Sequence, residues 1–280
     1  MKNSKEIDIA QKLIRCKSIA PKDGGTLRIV EKECKAMGFK CTKLRFSEKG
    51  FDTINNLYAE IGNGKPHFSF AGHVDIVPAD KKEWKVDPFE GKIKNNFLIG
   101  RGACDMKSAI ACFLSAAKNY LGENKNFKGK ISIIITGDEE TYAVNGTKKI
   151  LTWLKKKKIK IDNCLVGEPT NLKVLGDQIK IGRRGGFNGT VEVHGKAGHS
   201  AWPSRTINPI PALMKMLNNI DKKILDKGTK HFQPSIISIT SIDVGNEALN
   251  VIPAKARGSF NIRFNPRHTI KSLTKWIKKE

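Results

Sequence analysis

Histidine and carboxylates follow short apolar runs at several places along the chain. His73 and Asp75 come after FSFAG, Glu139 and Glu140 shortly after ISIIIT, and Glu168 after CLVG, while Asp105 sits in the glycine-flanked GRGACDMK. Short apolar runs bounded by glycine or proline read as buried strands. If those strands lie in one open α/β sheet, their carboxyl ends share an edge, which is where such sheets hold ligands. Burying that much negative charge without a cation is costly, so one imidazole with several carboxylates at one edge is a donor set for a divalent metal. The mixture suits zinc, cobalt or manganese.

The spacing adds roles. In GHVD the two-residue step brings the Asp75 carboxylate within reach of the imidazole, and a ligating histidine usually donates its second N–H to such a partner. Asp105 stands where backbone can approach closely and a carboxylate can bridge two ions. Glu139 and Glu140 are adjacent, so from an extended strand end they point apart, and one can bind metal while the other stays free as a base. Each element alone has a plainer explanation: a structural histidine, surface glutamates, a turn aspartate, a strand-ending Glu-Pro. Their joint placement in one domain favours a site.

The elements that must position these residues follow from periodicity. Ser4 is placed to cap a helix with Ile7, Ala10, Leu13 and Ile14 on one face, and a second amphipathic helix runs from Thr26 to a stop at Gly38. Strands are expected at 42–46, 56–61, 67–71, 131–136 and 163–166, with helices from about Met106 and over 145–157. Alternating helices and buried strands predict an α/β catalytic domain, a mixed sheet sandwiched by helices, over 1–181. From Gly182 the strands alternate apolar and polar residues, as in Val191 and Val193, or Phe260, Ile262 and Phe264, around one helix at 207–225. This predicts a smaller α+β domain over 182–280 with one solvated sheet face.

Composition bounds the partners. The chain has 280 residues and a formal charge of +24, mostly from scattered lysines. The dense run Lys155–Lys158 reads as a solvated turn, and no aromatic residues interleave with lysine to stack bases, so no nucleic-acid partner is expected. Six cysteines show no C-x-x-C pairing, and most sit in apolar surroundings, such as Cys112 within AIACFL, where a thiol reads as a small hydrophobe. The first residues lack an apolar signal core and no apolar run is long enough to span a bilayer, so no membrane partner and a cytoplasmic location are expected.

The segments GHVDIVPADKKEWKVDPFEGKI, GRGACDMKSAIACFLSA, TGDEE, VGEPT and GRRGGFNGTVEVHGKAGHSAWPSRTINPI resemble the M20 family of co-catalytic metallohydrolases, and within it the desuccinylase branch. The resemblance implies hydrolysis of the amide of N-succinyl-LL-2,6-diaminopimelate, a small dicarboxylate, in lysine and diaminopimelate synthesis. It implies two divalent ions, zinc or cobalt. His73 and Glu168 would bind one ion, Asp105 would bridge, and Glu140 would bind the second. Asp75 would orient His73, and Glu139 would be the general acid and base. His199, in GKAGHSAWP, would come from the second subunit of a homodimer, formed through the smaller lid domain, to stabilise the oxyanion. Arg183 or Arg184 and Arg263 are candidates for the substrate carboxylates, since arginine suits bidentate anion recognition. Asn250 matches a family position that reaches across the dimer, and the resemblance implies that it too binds substrate. The resemblance departs at Gly186, where the branch carries serine.

Family members continue past the point that matches Glu280, with a Gly-Gly-Thr-Ser-Asp-type loop and a last histidine ligand. His67, His231 and His268 stand in no matching context. The resemblance therefore carries the expectation of a truncated chain whose lid and catalytic domain are incomplete, whose second metal site is weak or absent, and whose activity alone is poor. Competing readings are an acetylornithine deacetylase or other aminoacylase, a non-catalytic M20-like module and, last, a nucleic-acid binder resting on charge alone.

Overall fold

The structure, a computed structural model, describes residues 4–280, the side chain of Lys81 excepted. The chain forms two compact units that divide between Leu175 and Gly176. The first holds helices α1 (Lys5–Arg15), α2 (Thr26–Ala36), α3 (Ser108–Glu123) and α4 (Thr147–Lys156). Its strands are β1 (Lys40–Phe46), β2 (Ile54–Asn63), β3 (His67–His73), the short hairpin β4 (Lys92–Lys94) and β5 (Phe97–Ile99), β6 (Gly129–Thr136) and β7 (Asn163–Val166).

Five of these strands form one mixed sheet in the order β1-β2-β6-β3-β7. β1, β2 and β6 pair antiparallel, whereas β6, β3 and β7 run parallel. Successive side chains of a strand point to opposite faces, and β6 uses both. Ile133 and Ile135 pack with Leu13, Val30, Ile110 and Leu114 from α1, α2 and α3, while Ile134 packs with Ile150 and Leu154 of α4 on the other face. This two-faced burial produces the helix-sheet-helix sandwich and aligns the carboxyl ends of β3, β6 and β7.

Several local expectations are corrected. Ser4 is the N-cap residue of α1, but its side chain makes no capping bond; its backbone carbonyl accepts from Asp8 instead. The helix expected from Met106 begins at Ser108, because Ala103–Lys107 forms a single π-type turn closed by Lys107 N–H to the Gly102 carbonyl. The strand before Glu168 is expected to be buried, yet β7 lies at one edge of the sheet, and Leu165 and Val166 are exposed. Cys34 is buried, but Cys112, read as a small hydrophobe, is exposed, as are Cys104 and Cys164.

The second unit contains β8 (Gly185–His194), β9 (Gly198–His199), α5 (Pro209–Asp221), β10 (Ile236–Asp243), β11 (Val251–Ile252), β12 (Lys255–Phe264) and α6 (Ile270–Ile277). An antiparallel sheet runs β10-β12-β8, and β9 pairs with β11. β8 alternates half-buried and exposed residues along its length, as a sheet with one covered face requires. Leu213, Leu217 and Ile220 of α5 and Leu273 of α6 bury against Ala256, Phe260 and Ile262 of β12. Among the described residues, no helix is long and apolar enough to cross a membrane.

Candidate metal centre

His73 is the last residue of β3, and its ring is almost fully buried. Its Nε2 lies 2.9 Å from Asp105 Oδ1, 3.4 Å from Glu168 Oε1 and 3.9 Å from Glu139 Oε2. Two groups of three, His73–Asp105–Glu168 and His73–Glu139–Glu140, each bring their ligand atoms within 4.8 Å of one another. The chain thus gathers residues separated by nearly a hundred positions at the carboxyl end of the parallel strands, where ligands of open α/β sheets lie.

The floor of this site depends on two glycines. A Cβ on Gly72 would come 2.6 Å from Met106 Cε, and one on Gly167 would come 2.8 Å from the same atom. Glycine at these positions on β3 and just past β7 lets the buried Met106 side chain fill the gap, which seats Asp105 beside the imidazole. Lys107 anchors the same turn from below. Its buried Nζ donates to the Leu13 and Cys16 carbonyls at the end of α1, 2.9 Å each, and burial pushes its pKa down to about 8.

Asp75 does more than the spacing implied. His73 Nδ1 is 3.0 Å from the Asp75 backbone carbonyl and 3.5 Å from carboxylate Oδ1, so the carbonyl is the nearer acceptor. The other carboxylate oxygen, Oδ2, accepts the backbone N–H groups of Glu139 and Glu140. Glu139 and Glu140 are not at an extended strand end: β6 stops at Thr136 and they lie in a bend beyond it. Asp138, which the sequence reading passed over, shapes that bend. Its carboxylate accepts from Thr141 Oγ1 (2.6 Å), Ala143 N (3.1 Å) and Asn145 N (2.8 Å). Asn56 braces the strand end, its Oδ1 accepting from Thr136 Oγ1 and its Nδ2 donating to the Asn145 carbonyl. A buried aspartate directly before paired glutamates was the available signal.

The electrostatics fit a cation. Burial disfavours a protonated His73, but the carboxylates of Asp75, Asp105 and Glu139 outweigh it and push its pKa up to about 9. Glu140 is pushed up as well, first by burial and then by the negative charge of Asp105. Asp75 Oδ1, buried, takes no hydrogen bond among the described residues. Protons are drawn to His73 and Glu140 to offset clustered negative charge, and a divalent ion on the same nitrogen and oxygen donors removes that imbalance.

The remaining candidates lie in the second unit. His199 and Asn250 are neighbours on β9 and beside β11, with Asn250 Nδ2 3.5 Å from His199 Nε2. Arg263 on β12 faces Gly186 across the β8 register, and a Cβ at Gly186 would come 3.1 Å from its Nη1. The glycine that departs from the branch pattern therefore leaves room for the Arg263 guanidinium. Arg183 is exposed, and Arg184 Nη1 donates to the Pro234 carbonyl at 2.9 Å. His67, unassigned from sequence, is a buried structural residue bonded to the Lys160 carbonyl and Ser132 Oγ.

A sequence profile of peptidase family M20/M25/M40 matches residues 69–269. The chain belongs to this family. Among curated M20 relatives, the succinyl-diaminopimelate desuccinylase of Parvibaculum lavamentivorans is 51% identical over 97% of this chain and 69% of its own length. That of Pelagibacter ubique is 51% identical over 98% of this chain and 72% of its own. The M20 fold is also that of solved structures. The metallo-carboxypeptidase Sso-CP2 of Sulfolobus solfataricus superposes with a TM-score of 0.76 at 20% identity, over 99% of this chain and 75% of that one. The Bacillus subtilis YXEP protein, described as a dinuclear metal-binding peptidase of the M20 family, gives 0.64 at 16% identity, over 98% and 67%.

Proposed function

We propose that this M20 chain hydrolyses the amide bond of N-succinyl-LL-2,6-diaminopimelate to succinate and LL-2,6-diaminopimelate, a cytoplasmic step of lysine and diaminopimelate biosynthesis. The observation that carries the reaction class is the convergence of His73, Asp105, Glu139, Glu140 and Glu168 on one sheet edge. The succinyl group and the diamine are supported by the names of relatives about half identical to it.

His73, Glu168 and Asp105 would hold one divalent ion, zinc or cobalt, and Asp105 with Glu140 would hold a second. Such ions supply Lewis acidity, which stabilises charge developing on the amide oxygen. His73 is the one imidazole in either group among the described residues, so a second ion would rest on carboxylates and be held more weakly. Glu139, with about half its side chain exposed, is free to take a proton from the attacking water at Oε2 and return it to the leaving amine. Asp75 keeps Glu139 and Glu140 in register with His73. Arg183 and Arg263 take the substrate carboxylates as charge-assisted partners. A homodimer through the second unit would let His199 of one copy donate to the oxyanion in the other. The outer edges of β8 and β10, each with one paired neighbour, offer backbone for that association.

The test is hydrolysis of N-succinyl-LL-2,6-diaminopimelate by the purified chain with added zinc or cobalt and with bound metal counted. Turnover that disappears in Glu139→Ala while metal stays bound supports the reading. Faster cleavage of N-acetylornithine would move the substrate to the neighbouring aminoacylases. Bound metal with no cleavage of either amide would sink the enzyme assignment.

A further inference from the structure

Lys107 is a fully buried cation that the proposed chemistry does not use. Its Nζ donates to the Leu13 and Cys16 carbonyls at the end of α1. Burying an ammonium on two neutral carbonyls costs free energy that an apolar side chain of similar volume would not. The end of α1 does not need it. The Leu13 carbonyl also accepts the Cys16 N–H at 3.2 Å, and the Cys16 carbonyl accepts the Ser18 N–H at 2.9 Å. Both carbonyls are therefore paired without the lysine.

The turn that carries Asp105 is the part that lacks support of its own. Asp105 and Met106 leave the helical region of backbone space, at φ −119° and −133°, so regular helical hydrogen bonds do not run through them. The backbone bonds of the turn are local, Ala103 N–H to the Gly100 carbonyl and Lys107 N–H to the Gly102 carbonyl. Gly102 has a φ of +78°, and a Cβ there would come 3.2 Å from Lys107 Cδ. Glycine thus meets the left-handed turn and leaves room for the lysine stem to pass toward α1.

The same stretch of α1 also holds the segment of Asp75. Ser18 Oγ donates to the Val74 carbonyl at 2.5 Å, and Ile76 N–H donates to the Ser18 carbonyl at 3.1 Å, one on either side of Asp75. Burial works against the Lys107 ammonium, and the Asp75 carboxylate works for it. Residues 13–18 are one base from which Asp75 and Asp105 are both set.

We infer that Lys107 is a positioning residue of the metal centre, its ammonium clamping the Asp105 turn to the end of α1 and so fixing the carboxylate spacing that a divalent ion meets. The inference rests on the proposed centre only for what binds between those carboxylates; the clamp itself is a property of the metal-free chain. Ligands held in place beforehand bind metal more tightly, because the ion does not have to order them.

The test compares the wild type with Lys107→Met, which keeps an unbranched apolar stem and removes the ammonium. In the metal-free proteins, amide hydrogen exchange read by mass spectrometry should run about tenfold faster over 103–107 in the variant, and no faster over 13–18. The Tm of the metal-free variant should equal that of the wild type or lie slightly above it, since the buried charge is gone. Cobalt titrations, followed by calorimetry and by the visible absorption of the bound ion, should show affinity lowered about tenfold and an altered spectrum. A fall in Tm with unchanged cobalt affinity and spectrum would overturn the inference and make Lys107 a structural residue. Unchanged exchange over 103–107 would overturn it as well, and so would a variant that does not fold, because the clamp leaves the fold independent of the ammonium. A wild type that takes up no cobalt, with the turn loosened in the variant as expected, would leave the clamp standing and remove the proposed metal centre.

Discussion

Asp75 Oδ2 accepts the backbone N–H of Glu140 at 2.8 Å, and that of Glu139 at 2.9 Å, while the same residue's carbonyl faces His73 Nδ1 at 3.0 Å. One buried aspartate therefore ties the imidazole end of the site to its glutamate end. Outer partners of metal ligands typically contribute ~10–100-fold in metal affinity. Asp75→Ala should lose affinity in that range, because the Glu139–Glu140 bend loses its anchor and two amide groups are left unpaired. Asp75→Asn keeps one acceptor oxygen and should lose less. Calorimetric zinc titrations of the three proteins check the order, and equal affinities would show that the bend holds itself.

Gly186 and Arg263 give a second prediction, about substrate recognition. In Gly186→Ser the new Cβ would lie 3.1 Å from Arg263 Nη1, the far end of a flexible side chain that can move aside. The fold should tolerate the change, with stability altered by no more than ~0.5 kcal/mol, as for other exposed positions. If Arg263 binds a substrate carboxylate, KM should change severalfold while kcat holds. Thermal melts with steady-state kinetics separate the two effects, and an unchanged KM would release Arg263 from that role.

Metal removal should expose the His73 proton. In the metal-free protein the surrounding carboxylates push His73 up to about 9, against about 6.5 for a free imidazole. A raised folded-state pKa contributes stability that is fully present below about 6.5 and lost as pH rises through about 9. With metal on the ring nitrogen no proton is held there, so that loss disappears. The Tm difference between zinc-loaded and chelator-treated protein should therefore widen between pH 7 and about 9.5. A constant difference over that range would mean His73 does not ligate.

How much of this was legible in the sequence depends on the distance over which the residues act. The strands before His73 and Glu139 and the amphipathic faces of α1 and α5 were readable, because periodicity records burial directly. The exposure of β7 was not, since its apolar run is the same whether a strand is central or at an edge. The π-type turn at Ala103–Lys107 has no periodic signature, and the placement of Met106 between Gly72 and Gly167 joins three distant segments. The Asp75 bond to the Glu139–Glu140 bend uses backbone N–H groups, which are the same for every residue type and so leave no trace in the sequence. The pairing of His199 with Asn250 needed the β9-β11 register.

The last prediction concerns Asp226, which organises the loop ahead of β10. Its carboxylate accepts from Gly228 N (2.6 Å), Ser235 N (3.2 Å), Asn265 Nδ2 (2.6 Å) and His268 Nε2 (3.1 Å). Burial disfavours the ionised form, but hydrogen bonds from Ser235, Gly228 and Asn265 outweigh it and hold the carboxyl well below the usual carboxylate range. Asp226→Asn replaces one accepting oxygen with a donor that faces other donors, so it should cost ~1–3 kcal/mol at neutral pH. The sign of the pH dependence follows from the lowered folded-state pKa. The contribution is present above the unfolded carboxyl value, about 3.9, and fades as pH falls toward the folded value. Urea unfolding of the wild type and Asp226→Asn at neutral pH and near pH 3 should therefore show a gap that narrows in acid. A gap of the same size at both pH values would mean that the network holds a neutral acid, and that the loop is fixed by packing and not by the charge.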